Sequence, residues 1–183
     1  METWVWIVIA AAAVVVLLAI WAMAQSRKRR RTSELQEGFG PEYDRTVEES
    51  GSRRKAESEL TEREKRREEL DIQPLAPGAR DRFAGRWSTV QERFVDDPKA
   101  AVSDAHVLVV EVMGERGYPT DDFEQRAADV SVDHPHVVEN YRSAYEISER
   151  SRNDGVETED LRQAMVHYRA LFDELLETAP AAQ

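Results

Sequence analysis

The residues best suited to chemistry in this chain lie in "DVSVDHPHVVENYR", residues 129–142, where His134 and His136 flank Pro135 and Asp129 and Asp133 stand close by. Imidazole and carboxylate side chains at short spacing are the raw material of zinc sites and of general acid–base pairs. The competing reading is local: Asp133 caps a helix that begins near His134, with Pro135 tolerated in its first turn. On such a helix His134 and His136 point roughly 200° apart and cannot ligate one ion together. The other two histidines, His106 and His167, sit beside apolar stripes, where a histidine satisfied by an interhelical hydrogen bond is the ordinary case. A di-metal bundle needs Glu-x-x-His pairs, but Ser103 precedes His106 and Ala164 precedes His167 at that spacing. His106, His134, His136 and His167 are therefore the metal or ligand candidates, each with a structural alternative, and no catalytic or cofactor-binding residue is assigned.

Other chemistries lack their residues. The chain has no cysteine, which removes disulfides, thiolate metal sites and a cysteine nucleophile. There is no GxGxxG, phosphate-loop, H-E-x-x-H or G-x-S-x-G pattern. The carboxylate pairs Asp96–Asp97, Asp121–Asp122 and Glu157–Asp160 all fall at expected helix starts, where capping and the helix dipole account for them. No cofactor is expected, and no enzyme activity is assigned. With a net charge of -11 over 183 residues, the chain repels phosphate, and nucleic acid is not an expected partner.

The elements that carry these residues begin with "TWVWIVIAAAAVVVLLAIWAMAQ", residues 3–25, which holds no charged side chain. Twenty-three residues make roughly 34 Å of helix, enough for a hydrocarbon layer about 30 Å thick. Trp4 and Trp6 at one end and Trp21 at the other fall where indoles favour the headgroup level. A cleaved signal peptide is the alternative, with "AMA" at 22–24 as its cleavage site, but the basic residues follow the apolar run instead of preceding it. Arg27, Lys28, Arg29, Arg30 and Arg31 form that basic flank. Lysine and arginine favour the cytoplasmic side, so the sequence predicts a cell-membrane protein with its amino terminus outside and its carboxy-terminal part in the cytoplasm. The same cluster is suited to anionic lipid headgroups, a second role beside setting topology.

Residues 27–77 read as a basic flank and a charged helical stalk or linker. Gly38, Gly40 and Pro41 break any continuous helix, and a second break falls at Ser50–Ser52. From Arg53 to Leu70 the text is almost wholly charged, with Glu59–Arg63 and Glu62–Arg66 at i,i+4. Only Ala56, Leu60 and Leu70 are apolar there, so a solvated spacer helix is expected ahead of a coiled-coil seam. "DIQPLAPGA" then reads as a linker.

From residue 78 to 179 the apolar period is helical throughout. Stripes at Phe83, Trp87, Val90 and Phe94, at Val102, Ala105, Leu108, Val109 and Val112, and at Leu161, Met165, Tyr168, Phe172 and Leu175 predict core-facing helices. Asp97 and Pro98 open one of them and Gly117 ends it. A short helix near 120–130, another over "HVVENYRSAYEISE" and a turn at "NDG" (153–155) complete the pattern. The expected fold is all-α: a transmembrane anchor over 1–26, the stalk, a bundle of four to five helices over 78–179 and a disordered tail at 180–183.

The phrases "GFGPEYDRTVEESGSRRKAESELTEREKRREELDIQPL" (38–75) and "WSTVQERFVDDPKAAVSDAHVLVVEVMGERGYPTDDFEQRAADVSVDHPHVVENYR" (87–142) resemble a group of single-span bacterial membrane proteins without an assigned function. The resemblance implies an anchored, largely helical protein and supplies no reaction, cofactor or catalytic residue. Two function classes follow from the residues. One is a membrane-tethered protein-interaction or scaffold module, which uses the bilayer through residues 3–25 and a protein partner or self-association through the rest. The other is a bundle that binds a small ligand or metal, or hydrolyses a substrate, through its histidines.

Overall fold

The computed structural model describes residues 2–76, 78–152 and 155–177, and of residues 2–3 and 5–15 the backbone alone. The described residues form eight helices and no strand, so the fold class is all-α. Two compact units divide the chain at residues 38 and 39.

The first unit is the helix α1, Glu2–Phe39, almost to its end. It runs unbroken through the uncharged segment and the basic flank. Val16, Leu17, Leu18, Ile20, Trp21 and Met23 are each 56–65% exposed. Trp4 is exposed as well, while the side chain of Trp6 lies outside the described ones. Among the described residues no helix is long and apolar enough to cross a membrane; the side chains of residues 5–15, the centre of the uncharged segment, are outside them.

The second unit holds seven helices. Pro41 starts α2 (Pro41–Ser50), which ends at Gly51 in the left-handed region with φ 64°. Helix α3, Arg53–Glu69, folds back against α2 to make a hairpin. Next come α4 (Ala79–Arg93), α5 (Pro98–Arg116), α6 (Phe123–Asp133), α7 (Val138–Ser151) and α8 (Thr158–Glu177). Four long helices and one short one match the expected bundle. Helix α8 packs against α5 and α7, and α4 lies along α5.

Local chemistry sets these boundaries. The Ala100 amide donates to Asp97 Oδ1 at 3.1 Å and the Gln125 amide to Asp122 Oδ2 at 2.8 Å, so both acids cap their helices. Gly117 closes α5 with φ 100°, and its amide and that of Tyr118 take up the last carbonyls of that helix. The linker then crosses close by: a Cβ at residue 117 would lie 2.3 Å from Asp71 O. The Gln73 amide donates to Arg116 O at 2.8 Å. The predicted stripes supply the core, with Phe83, Trp87, Val102, Leu108, Val112, Leu161, Tyr168, Phe172 and Leu175 buried together. Trp87 stacks on Phe172 with ring centroids 4.6 Å apart.

Three expectations are corrected. The segment from Arg53 to Leu70 is not a solvated spacer: Ala56 and Leu60 are buried and α3 packs on α6. Ala56 and Leu60, the apolar residues a coiled-coil seam would need, are enclosed within the chain's own fold. Asp133 does not cap the helix after His134. Helix α6 extends to Asp133, the His134 amide still donates to Val130 O at 2.9 Å, and α7 starts only at Val138. Pro135, which has no N–H to donate, separates the two helices. The 153–154 part of the expected turn, residues 178–179 at the end of the expected bundle and the expected tail at 180–183 lie outside the described residues.

Candidate functional site: a buried ion-pair junction

The hairpin and the α6–α7 corner meet through charge. Glu42, second residue of α2, is only 2% exposed. Arg142 of α7 donates to both its oxygens, Nη1 to Oε2 at 2.7 Å and Nη2 to Oε1 at 2.8 Å. Arg63 of α3 donates through Nη1 to Oε1 at 2.7 Å, and Arg45 stands 3.6 Å away. One carboxylate thus faces three guanidinium groups. The surplus positive charge is met at the rim, where Arg63 pairs with Glu59, and Arg45 with Glu49 and Glu139. Arg63 Nη1 also reaches Ser131 Oγ at 3.2 Å. The paired fork geometry gives such contacts direction as well as strength.

Along α3 the pattern repeats. Arg66 Nε donates at 2.9 Å to Asp129 Oδ1, which also accepts from Gln125 Nε2 at 2.8 Å. Asp129 is fully buried, and its Oδ2 has no partner. Arg67 pairs with Asp133, whose Oδ2 also accepts from the Tyr118 hydroxyl at 2.6 Å. Burial and that carboxylate push the Tyr118 phenol well above its ordinary range. Arg63, Arg66 and Arg67 occupy one helix face at three- and four-residue spacing and meet acids or acceptors on α2 and α6.

Two open clefts flank this junction. One, about 310 Å³, is lined by residues that include Arg45, Arg63, Arg142, Glu59 and Gln125. The other, about 300 Å³, lies between the start of α2 and the Pro135–His136 turn, with Glu48 and Glu139 on its walls. Gly40 closes that side: its φ is 47°, and a Cβ there would sit 3.1 Å from His136 Cε1. The positive φ strains any side chain at residue 40, and a Cβ there would also press on the His136 ring.

The four histidines are held at different places. His136 is exposed at the second cleft. His134 is buried, with Nδ1 3.4 Å from Glu174 Oε1 and Nε2 unpartnered. Burial, aided by the Arg116 cation, holds its pKa below the ordinary imidazole value. His106 Nδ1 lies 3.1 Å from the Tyr168 hydroxyl, within a cluster of Tyr141, Tyr145 and Tyr168 rings. Burial lowers its pKa to about 4, with Arg126 adding to the effect. His167 Nδ1 is 3.0 Å from Asn140 Oδ1. Each histidine has surroundings of its own, and no three His, Asp or Glu side chains among the described residues are grouped to hold a metal ion.

The junction was not foreseen as a site. Arg63 and Arg66 read as charges of a solvated helix, Glu42 and Arg142 carried no reading of their own, and Asp129 stood out only as a carboxylate near the histidines. The available signal was Asp129 itself, a charge set between Ala127 and Val130 on a short amphipathic helix. What the arrangement does chemically is fasten: Arg63, Arg66, Arg67 and Arg142 each donate to a carboxylate.

No family model, curated protein or solved structure matches the chain.

Proposed function

We propose that this chain is a single-span membrane protein whose helical unit acts as a cytoplasm-facing interaction or scaffold module, binding another protein or a further copy of itself. The observation that supports this reading is α1. Along residues 16–23 it presents large apolar side chains at 56–65% exposure on successive positions, hence on every face of the helix. A helix that is apolar all round needs a bilayer or a protein interior to cover it. The five cations at 27–31 follow directly and encircle the helix at about 100° per residue, which favours retention of that end on the cytoplasmic side. Tethering raises the effective concentration of the acidic helical unit near membrane partners without demanding strong contacts. The enclosed ion-pair junction favours a recognition role over a catalytic one. The resemblance to single-span bacterial membrane proteins points the same way.

The test is membrane extraction with protease protection on the full chain carrying a C-terminal tag. The expected result is a protein that resists alkaline extraction, with its tag protected from external protease in intact spheroplasts and digested once the cell membrane is broken. Release by alkali, or a mature protein trimmed after Ala24 and found outside the cell, overturns the reading. Recovery of a specific partner or of a second copy from gently solubilised membranes then distinguishes hetero- from self-association.

A further inference from the structure

The hairpin of α2 and α3 differs in kind from the rest of its unit. The five helices α4–α8 share one apolar core, in which Ile72 of the linker also takes part. No residue of α2 or α3 belongs to that core. The hairpin's own buried apolar residues, Tyr43, Ala56 and Leu60, lie outside that core, and its side-chain links to α6 and α7 are polar: the ion pairs of Glu42 with Arg142, Arg66 with Asp129, Arg67 with Asp133 and Arg45 with Glu139, and the hydrogen bond from Arg63 to Ser131. We propose that the α2–α3 hairpin is a releasable strap, which undocks from α6 and α7 as one piece while the five-helix core stays folded, baring an acidic α6 face that accepts an arginine-bearing helix.

Three features support this. Buried ion pairs return in Coulomb attraction little more than their desolvation costs, so ionic docking leaves the closed and open states near in free energy, where apolar docking would not. Chain connections permit a swing. The linker after Leu70 is fixed to the end of α5 by the Gln73–Arg116 hydrogen bond and by Ile72, so the core keeps its side of the hinge when the strap leaves. On the uncovered face, Asp129 and Asp133 lie one helical turn apart and pair with Arg66 and Arg67, two adjacent residues of α3. A partner helix carrying arginines at that spacing fits the same acceptors, with Asp129 Oδ2 still offering an unused one.

Native-state hydrogen exchange on the full chain in detergent micelles or nanodiscs tests the strap. The amides of residues 41–69 are expected to open together, with protection well below that of α5 and α8. Glu42→Gln is expected to raise hairpin opening by roughly 100-fold or more, the scale of breaking one partner of a buried pair, with α5 and α8 unchanged. Should Glu42→Gln unfold the whole chain, Arg66→Gln carries the same test, because Arg66 is half exposed; it is expected to raise hairpin opening about tenfold. A synthetic peptide of residues 53–69, added to the Arg66→Gln chain, is expected to restore protection on α6. Hairpin and core amides losing protection together, or a hairpin unmoved by either substitution, overturns the proposal. Failure of the peptide to protect α6 overturns the partner assignment.

Discussion

At the scale of single residues, the histidines show how surroundings decide what a side chain does. His106 accepts or donates one hydrogen bond to Tyr168 and is otherwise wrapped in aromatic rings. Burial lowers its pKa to about 4, and His134 shifts in the same direction for the same reason. In the unfolded chain both imidazoles bind protons below about pH 6.5; in the folded chain they do so only at lower pH. The folded state therefore binds fewer protons, and stability is lost as pH falls from about 6.5 toward 4. For His106 the loss between about pH 7 and pH 5 is expected to be on the order of 2 kcal/mol. Denaturant unfolding at those two pH values should show His106→Gln losing less stability than the parent; an equal loss in both would remove His106 as a cause. None of this was legible from sequence beyond the position of His106 beside a stripe and of His134 next to a helix boundary. Which partner satisfies each depends on how α5, α7 and α8 rotate against one another.

At the scale of elements, the periodic helices were legible and the charged ones were not. Phe83, Trp87 and Val90, or Leu161, Tyr168 and Phe172, announce their buried faces because apolar spacing follows helical geometry directly. Caps were legible for the same local reason, as Asp97 and Gly117 show. Helix α3 conceals its buried face because that face is lined by Arg63 and Arg67, and α2 hides Glu42, residues that nearly always face water. Their burial depends on partners 60 to 100 positions away in the chain, at Asp129, Asp133 and Arg142. The end of α6 was misread because "VDHP" suits either a helix end or a helix start. Gly117 gives the sharpest element-level prediction. Gly117→Ala adds a Cβ 2.3 Å from Asp71 O, in a backbone conformation with φ 100°. It should destabilise the chain by about 1–3 kcal/mol and loosen the linker from α5. Denaturant unfolding and exchange at the Gln73 amide, whose acceptor is Arg116 O, check this; a variant as stable as the parent would show that the linker moves aside freely.

At the scale of the whole chain, charge and hydropathy are sharply partitioned. The uncharged and basic segments belong to the first unit, while residues 72–183 carry 12 basic against 22 acidic groups. The apolar core is contained within the second unit. Residues 39–183 expressed alone are therefore expected to give a helical circular-dichroism spectrum and a cooperative thermal transition, with no vesicle binding. A non-cooperative melt would mean that this unit depends on the preceding helix for its fold.

The guanidinium of Arg116 has a bearing on how the chain can end. It is almost wholly enclosed, and its Nη1 donates at 2.9 Å to the carbonyl of Leu175 in the final turn of α8, while Nε finds no acceptor. The negative end of that helix's dipole is thus the nearest answer to an interior cation. A chain clipped short of Leu175 would lose more than a frayed terminus: it would strand a buried charge at the end of α5. The closing residues of α8 are in this sense a counter-ion, and added sequence belongs beyond them.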